Sequence, residues 1–432
     1  MPAAPSPASA TANTTFTTAN PTPTTADTTT PAPTGHTPTT AEAATPLPSP
    51  LKGWLAVVGL MLGIFAIVTT EILPIGLLTS IGSSFTVSDG MAGLMMTMPG
   101  LLAAVAAPLV TVATARIDRR LMLCACTLLL AVANFLAAAA PHYWLVLVSR
   151  VMVGVTIGGF WSIGVGLAAR LVAPESVGRA TAVIFSAVPL GSVLGVPAGT
   201  LIGDLAGWRA AFTVMGVLTV GVLVLLVVVL PPLPAVHITR LAVLRTTARS
   251  APTRLALLLT FLAVLAHFGA YTYITPFFEQ ITHASPTQVT VFLLLYGAAG
   301  IAGTFLGGAA VARRPLATFG LAAGLIAMAT LLLPLLGHWP LGALALLIVW
   351  GVAYGAVPVC SQTWFTKAAP HAPEATSVLF TASFQATISA GALAGGVIVD
   401  RTSPATLMAI GGATAILVPL VACLPAAKRA AA

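Results

Sequence analysis

Charge is what this 432-residue chain has least of: 6% of its residues are Asp, Glu, Lys or Arg, against 58% hydrophobic, and its mean hydropathy is +1.01. A soluble domain carries about 25% charged residues, so a water-facing globular surface is excluded for most of the length. Cysteine is scarce as well. The four thiols, Cys124, Cys126, Cys360 and Cys423, fall in apolar runs. Cys124-x-Cys126 points to different helix faces, with no His or carboxylate beside it to complete a metal site. All four read as small packing hydrophobes. The chain also lacks His-Glu-x-x-His, Gly-x-Ser-x-Gly, a pair of intramembrane aspartates and any phosphate-binding loop. Hydrolytic and metal chemistry are left without residues, so no enzyme activity and no cofactor are expected.

What the chain has instead is long apolar runs. A helix needs about 20 such residues to cross a bilayer. Twelve runs qualify, at 53–81, 90–114, 121–140, 143–169, 178–203, 209–230, 255–280, 287–311, 316–336, 341–366, 375–399 and 404–425. Pro141-His142-Tyr143 and Gly337-His338-Trp339-Pro340 divide the two longest stretches as interfacial turns. The runs are too long and too little alternating for membrane strands. An all-α membrane protein of twelve transmembrane helices follows. Every third run (121–140, 210–230, 316–336 and 405–424) shows hardly a polar atom, as a lipid-facing prop should. Glu71, Arg150, Trp161, His267, Tyr271, Tyr273, Gln362 and Gln385 lie in the other runs. A charge in hydrocarbon costs about 2.5–3.5 kcal/mol on insertion scales, so these residues are expected to face a bundle interior built around a pathway.

The basic residues orient the bundle. Of the 18 Lys and Arg, all but Arg150, Arg209 and Arg401 fall on one side of a twelve-span path. The positive-inside rule makes that side cytoplasmic, with both termini and the central loop. The net charge of +8 therefore reports topology, and no nucleic-acid partner is needed. Residues 1–50 differ in kind: Thr, Pro, Ala and Ser without Lys or Arg and without hydrophobic period. Such a tail cannot bury enough apolar surface to offset its ordering entropy and is expected to be disordered. It has no basic n-region or apolar h-region, so the first helix serves as the insertion signal.

The halves repeat. Thr70-Glu71-Ile-Leu-Pro74 matches Thr272-Tyr273-Ile-Thr-Pro276 at offset 202, and Gly154, Gly158 and Arg170 match Gly351, Gly355 and Lys367 at offset 197. Gly195-x-x-x-Gly199-x-x-Ile202-x-Asp204 matches Gly391-x-x-x-Gly395-x-x-Ile398-x-Asp400 at offset 196. Near-constant offsets in colinear order describe two six-helix halves, 51–230 and 254–425, joined by a basic loop at 231–253 and followed by a tail at 426–432. That is the parallel-repeat plan of the major facilitator superfamily. The run Arg150-Val-Met-Val-Gly154-Val-Thr-Ile-Gly158-Gly159-Phe160-Trp161 resembles the fourth-helix motif of its proton-coupled members. Gly191-x-x-x-Gly195-x-Pro197-x-Gly199 with Gly207-Trp208-Arg209-x-x-Phe212 resembles the fifth-helix motif of the twelve-span drug:proton antiporters. With Thr69-Thr70-Glu71-Ile-Leu-Pro74 and His267-Phe-Gly-Ala-Tyr271-Thr-Tyr273, the likeness is greatest to the sugar-efflux and purine-nucleoside-efflux branch.

The resemblance implies a monomeric, proton-driven exporter of a small-molecule substrate in the plasma membrane, working by alternating access. Proton and lipid bilayer are its other partners, and a multidrug or chloramphenicol-type pump is the alternative. A membrane sensor without transport would need an ordered soluble module, which neither tail nor loop offers. The loop after the second span departs from the superfamily pattern: Arg116, Arg119 and Arg120 survive, but Ala115 stands at the acid position and Asp118 at a glycine. Asp118 can supply a displaced gate contact, or the arginines can simply anchor the loop against anionic lipid.

Among residues for coupling, Glu71 is the only carboxylate well inside a span, and Arg150 lies at a compatible depth. A rocking motion that brings them together and apart would drive proton release and uptake; the plain alternative is a static ion pair. His267, with Tyr271 at i+4, is either a second proton carrier or a hydrogen-bonded neutral histidine. Phe160, Trp161, Tyr271, Tyr273, Gln362 and Gln385 are cavity candidates, with Glu71 and Tyr273 expected on opposite walls. Gly191, Gly195 and Gly199, with Pro197, give a small face that suits either sliding or ordinary close packing.

Overall fold

Twelve long helices realise the twelve runs: α1 (Pro50–Phe85), α2 (Asp89–Ala113), α3 (Arg119–Ala139), α4 (Tyr143–Gly164), α5 (Val177–Ala206), α6 (Trp208–Val229), α7 (Ala251–Tyr271), α8 (Pro286–Val311), α9 (Pro315–Leu336), α10 (Pro340–Ala368), α11 (Pro373–Arg401) and α12 (Pro404–Cys423). This computed structural model describes residues 49–113, 117–164, 167–234, 246–311, 313–368, 373–425 and 427. The expectations for residues 1–48, Arg116, the loop segment 235–245 and the basic pair Lys428/Arg429 lie outside them. No strand occurs among the described residues.

Local chemistry sets the helix ends. Proline occupies the first turn of α1, α7, α9 and α12, where its missing N–H would have had no partner anyway. Asp118, Ser250 and Ser403 cap α3, α7 and α12 by accepting from the amides of Arg120, Thr253 and Thr406. The seventh run breaks. Helix α7 stops at Tyr271, a single turn follows at Ile274–Phe277, and Phe278–Thr282 is π-helical. Pro276 has no N–H to offer the Thr272 carbonyl, so the ladder is interrupted there. By contrast, Pro74, Pro197 and Pro358 lie inside uninterrupted helices.

Packing confirms the repeat residue by residue. Gly154 of α4 lies against the Pro99 carbonyl of α2, with no room for a Cβ, and Gly158 against the Ala103 carbonyl. In the second half Gly351 of α10 meets the Tyr296 carbonyl of α8, and Gly355 meets that of Gly300. Partners and glycines shift by the same offset of 197, so both halves are built on one contact. Gly191, Gly195 and Gly199 of α5 pack on Val68, Ile72 and Leu73 of α1, and Gly391 and Gly395 of α11 pack on Leu265 and Gly269 of α7. These seams lie within a half. Sliding between halves is therefore not their office.

Helices α3 and α6 pair with each other, as do α9 and α12; the first pair exposes Val and Leu along its outer face, the second Leu, Ile and Met. The third run nonetheless carries chemistry: Asn134 is fully buried in α3 and donates to Thr70 Oγ1 at 3.2 Å. A bare prop was the wrong expectation for it, because one face of α3 looks inward at α1.

The halves meet through α2 with α11, α5 with α8, and α1 with the turn after α7. Among the described residues, the hydrogen bonds between halves run from Gln385–Glu71 at mid-depth to Ser88–Asp400 and Thr79–Glu279 at the end away from the basic loops, here termed the far end. Thr275 to the Ile75 carbonyl, Ser389 to the Thr97 carbonyl and Thr290 to Thr200 add further bonds between the halves.

Candidate functional site

Glu71 and Arg150 are both buried, yet they do not form an ion pair. Glu71 Oε1 accepts from Gln385 Nε2 of α11 at 2.8 Å. Arg150 Nη1 donates to the Thr70 carbonyl at 2.9 Å, and its guanidinium lies over the Phe212 ring at 5.1 Å. Adjacent residues of α1 point about 100° apart on a helix of 3.6 residues per turn, so the Thr70 side chain meets Asn134 of α3 while Glu71 faces the other half. The static pair, the plain alternative to coupling, is not formed; two separate contacts one residue apart stand in its place. Arg150 Nε and Nη2, Asn134 Oδ1 and Thr69 Oγ1 are buried without a hydrogen-bond partner. Unmade buried bonds of this kind are uncommon, at about 1–3 kcal/mol each, and the cluster concentrates four beside the only mid-span acid.

The second half answers with aromatics. Trp350 Nε1 donates to His267 Nδ1 at 3.0 Å. His267 stacks on Tyr354 (centroids 3.3 Å apart, planes within 7°) and on Tyr271 at 5.0 Å, and Tyr271 stacks on Tyr296 at 4.5 Å. An indole N–H only donates, so Nδ1 must be the unprotonated nitrogen and His267 is held neutral. A proton relay through Nδ1 would set two donors face to face. The structure therefore favours the hydrogen-bonded histidine over the proton carrier. Trp350, Tyr296 and Tyr354 escaped the sequence reading because aromatics in apolar runs carry no mark of which neighbour they will meet. Tyr354 is partly exposed.

Other candidates land elsewhere. Tyr273 is fully buried, with its hydroxyl donating to the Ala392 carbonyl at 2.7 Å and its ring wedged over Gly93 and Gly396. It is part of the closure between halves and not a wall opposite Glu71; the helix break after Tyr271 turns it toward α2 and α11. Phe160 packs under Gly63 of α1 in the first-half core. Trp161, one residue on, is half-buried with Phe185 at 6.1 Å. Gln362 is exposed, since its neighbour Ser361 takes the inward direction and accepts from Thr260 at 3.0 Å. Asp118 stays within its own half, bonding the amides of Arg120 and Leu233. Arg120 donates to the Val227 carbonyl at 2.7 Å, and the Arg119 amide to that of Leu233 at 2.8 Å. The loop tethers α3 to the end of α6; a displaced gate contact to α11 is not made by Asp118.

Two six-helix halves related by repeat, joined along α2–α11 and α5–α8 with polar residues at mid-depth, define a membrane transporter of the alternating-access class. A family model described as the Major Facilitator Superfamily matches residues 60–389, and the chain belongs to that family. It is 31% identical over 357 residues to the transcription regulatory protein OpdE of Pseudomonas aeruginosa, covering 81% of this chain and 88% of that one. A bacterial homologue of the human lysosomal transporter Spinster, in its inward-facing and unoccupied conformation, superposes with a TM-score of 0.72 at 16% identity, over 89% of this chain and 98% of its own. The human organic anion transporter MFSD10 does so with a TM-score of 0.63 at 20% identity, over 87% and 100%. At these identities the likeness is one of fold.

Proposed function

We propose that the chain is a proton-coupled exporter of a small solute, such as a sugar or nucleoside, in the plasma membrane with both termini cytoplasmic. The observation that carries this reading is the Glu71–Gln385 contact: the only mid-span acid is bonded to the opposite half. A carboxylate accepts more strongly than a carboxylic acid. Proton loading of Glu71 therefore loosens its hold on α11, and proton loss restores it, which ties the state of one proton to the relation of the two halves. Arg150, anchored on the preceding residue with Nε and Nη2 to spare, is placed to stabilise the ionised form when α1 shifts. Tyr354 and Trp161 offer flat, partly exposed faces to a ring. A single mid-span acid fits a neutral solute better than an amphipathic cation, which would call for several; a multidrug or chloramphenicol-type pump is the second reading.

The test is efflux from loaded proteoliposomes under an imposed pH gradient, with pentoses, purine nucleosides and phenicol antibiotics as solutes. Wild type should concentrate one class against its gradient and Glu71→Gln should not, because Gln keeps size and hydrogen bonding but cannot cycle a proton. Concentrative efflux by the Gln variant at wild-type rates would remove Glu71 from coupling.

A further inference from the structure

The far end of the bundle holds a carboxylate that the transport reading leaves unused. Asp400, next to the end of α11, reaches across to the start of α2: Oδ2 accepts from Ser88 Oγ at 2.6 Å and Oδ1 from the Gly90 amide at 2.8 Å. Ser88 Oγ in turn accepts from the Met91 amide at 3.2 Å. The first amides of a helix lack partners of their own and favour negative charge. Ordinarily a residue of the same chain segment supplies the cap; here it comes from the opposite half. The fit is close, since a Cβ on Gly90 would run into Asp400 and the Gly396 carbonyl. Beneath it Tyr273 seals the same seam over Gly93 and Gly396.

The repeat sharpens the point. Asp204 ends α5 as Asp400 ends α11, in the matching Gly-x-x-x-Gly-x-x-Ile-x-Asp motif. Yet Asp204 is exposed and makes no hydrogen bond among the described residues. The α5–α8 seam closes instead on the neutral pair Thr290 and Thr200, at 2.8 Å. Only one of the two equivalent seams is closed by a charge on a helix start. The seam's other carboxylates have neutral donors, Asp89 from Gln280 and Glu279 from Thr79.

We propose that Asp400 is a conformational latch: a helix cap that one half places on the other, holding the far end shut, and given up each time the bundle opens there. Opening separates the carboxylate from both donors at once, so the latch sets how rarely the unloaded protein visits the far-open state.

Spin labels at Leu205 and Leu341, exposed far-end positions of opposite halves, report this by the distance between them in protein lacking the four native thiols. One short distance should dominate the parent. Asp400→Asn, which removes the charge while keeping one acceptor oxygen, should raise the long-distance population about threefold, in keeping with the usual worth of a negative charge at a helix start. Gly90→Ala should do so by wedging the same seam, and Arg401→Gln on the adjoining exposed residue should not. Unchanged distances in both seam variants would overturn the latch. So would widening in Gly90→Ala alone, which would make close packing the closure, or an equal shift in Arg401→Gln. Should Asp400→Asn not purify as a monodisperse species, Ser88→Ala removes one donor and should move the population the same way by less; no shift there counts against the proposal.

Discussion

The two halves share a backbone plan and differ in what fills it. Helices α4 and α10 lie on α2 and α8 through glycines at one offset, each glycine against an equivalent carbonyl. The first half then encloses Glu71, Thr70, Asn134 and Arg150, while the second encloses His267, Tyr271, Tyr296 and Trp350. Close backbone contact is a steric demand, which a repeat must keep in both copies. The interior side chains answer to chemistry and have diverged, one half to charge, the other to stacked rings with a neutral histidine.

Breaking the shared plan should have the largest effect. Gly154→Val and its repeat counterpart Gly351→Val each force a side chain into a carbonyl, and the cost of overpacking reaches about 3 kcal/mol. Both should abolish the yield of monodisperse protein; loss in one alone would show that the halves do not depend equally on the contact. Next comes the charged interior. Arg150→Lys keeps the charge but loses the planar fork, and pH-driven efflux should fall about tenfold with yield near normal. Full activity would leave only a charge requirement. In the aromatic interior, Trp350→Phe withdraws the donor from His267 and should lower stability by about 1 kcal/mol, read as a reduced melting temperature in detergent. A fall in efflux as large as that of Arg150→Lys would mean that the ring cluster does more than pack. The smallest change is expected from Asn134→Leu, which removes an amide whose carbonyl oxygen has no partner. Stability should shift by less than about 1 kcal/mol, and a greater loss would make the polar interior a single network.

Much of the fold was legible because membrane spans obey few rules. Length, apolarity and basic flanks located all twelve helices to within a few residues, except where α7 breaks before Pro276. The repeat was legible through glycine, whose absence of a side chain is itself the contact. The site was legible only as a set of buried polar residues. Glu71, Arg150 and Gln385 are inside as expected, but their partners could not be read. A residue shielded from lipid by a neighbouring helix and one shielded by a cavity obey the same apolar period. Tyr273 and Phe160 were placed on a pathway and belong to packing for that reason. Asn134 was overlooked because its run is otherwise apolar, and Asp400 was read only as the end of a repeat motif.

Helix α11 is continuous from Pro373 to Arg401. Gln385, which holds Glu71, and Asp400, which holds the start of α2, therefore ride on one rod about 22 Å apart at about 1.5 Å rise per residue. An unbroken helix does not telescope. Whatever tilts it at mid-depth swings its end through a proportionate arc, so α11 acts as a lever arm with a grip at each station, and a disturbance of one proton at the centre is delivered as a displacement at the rim.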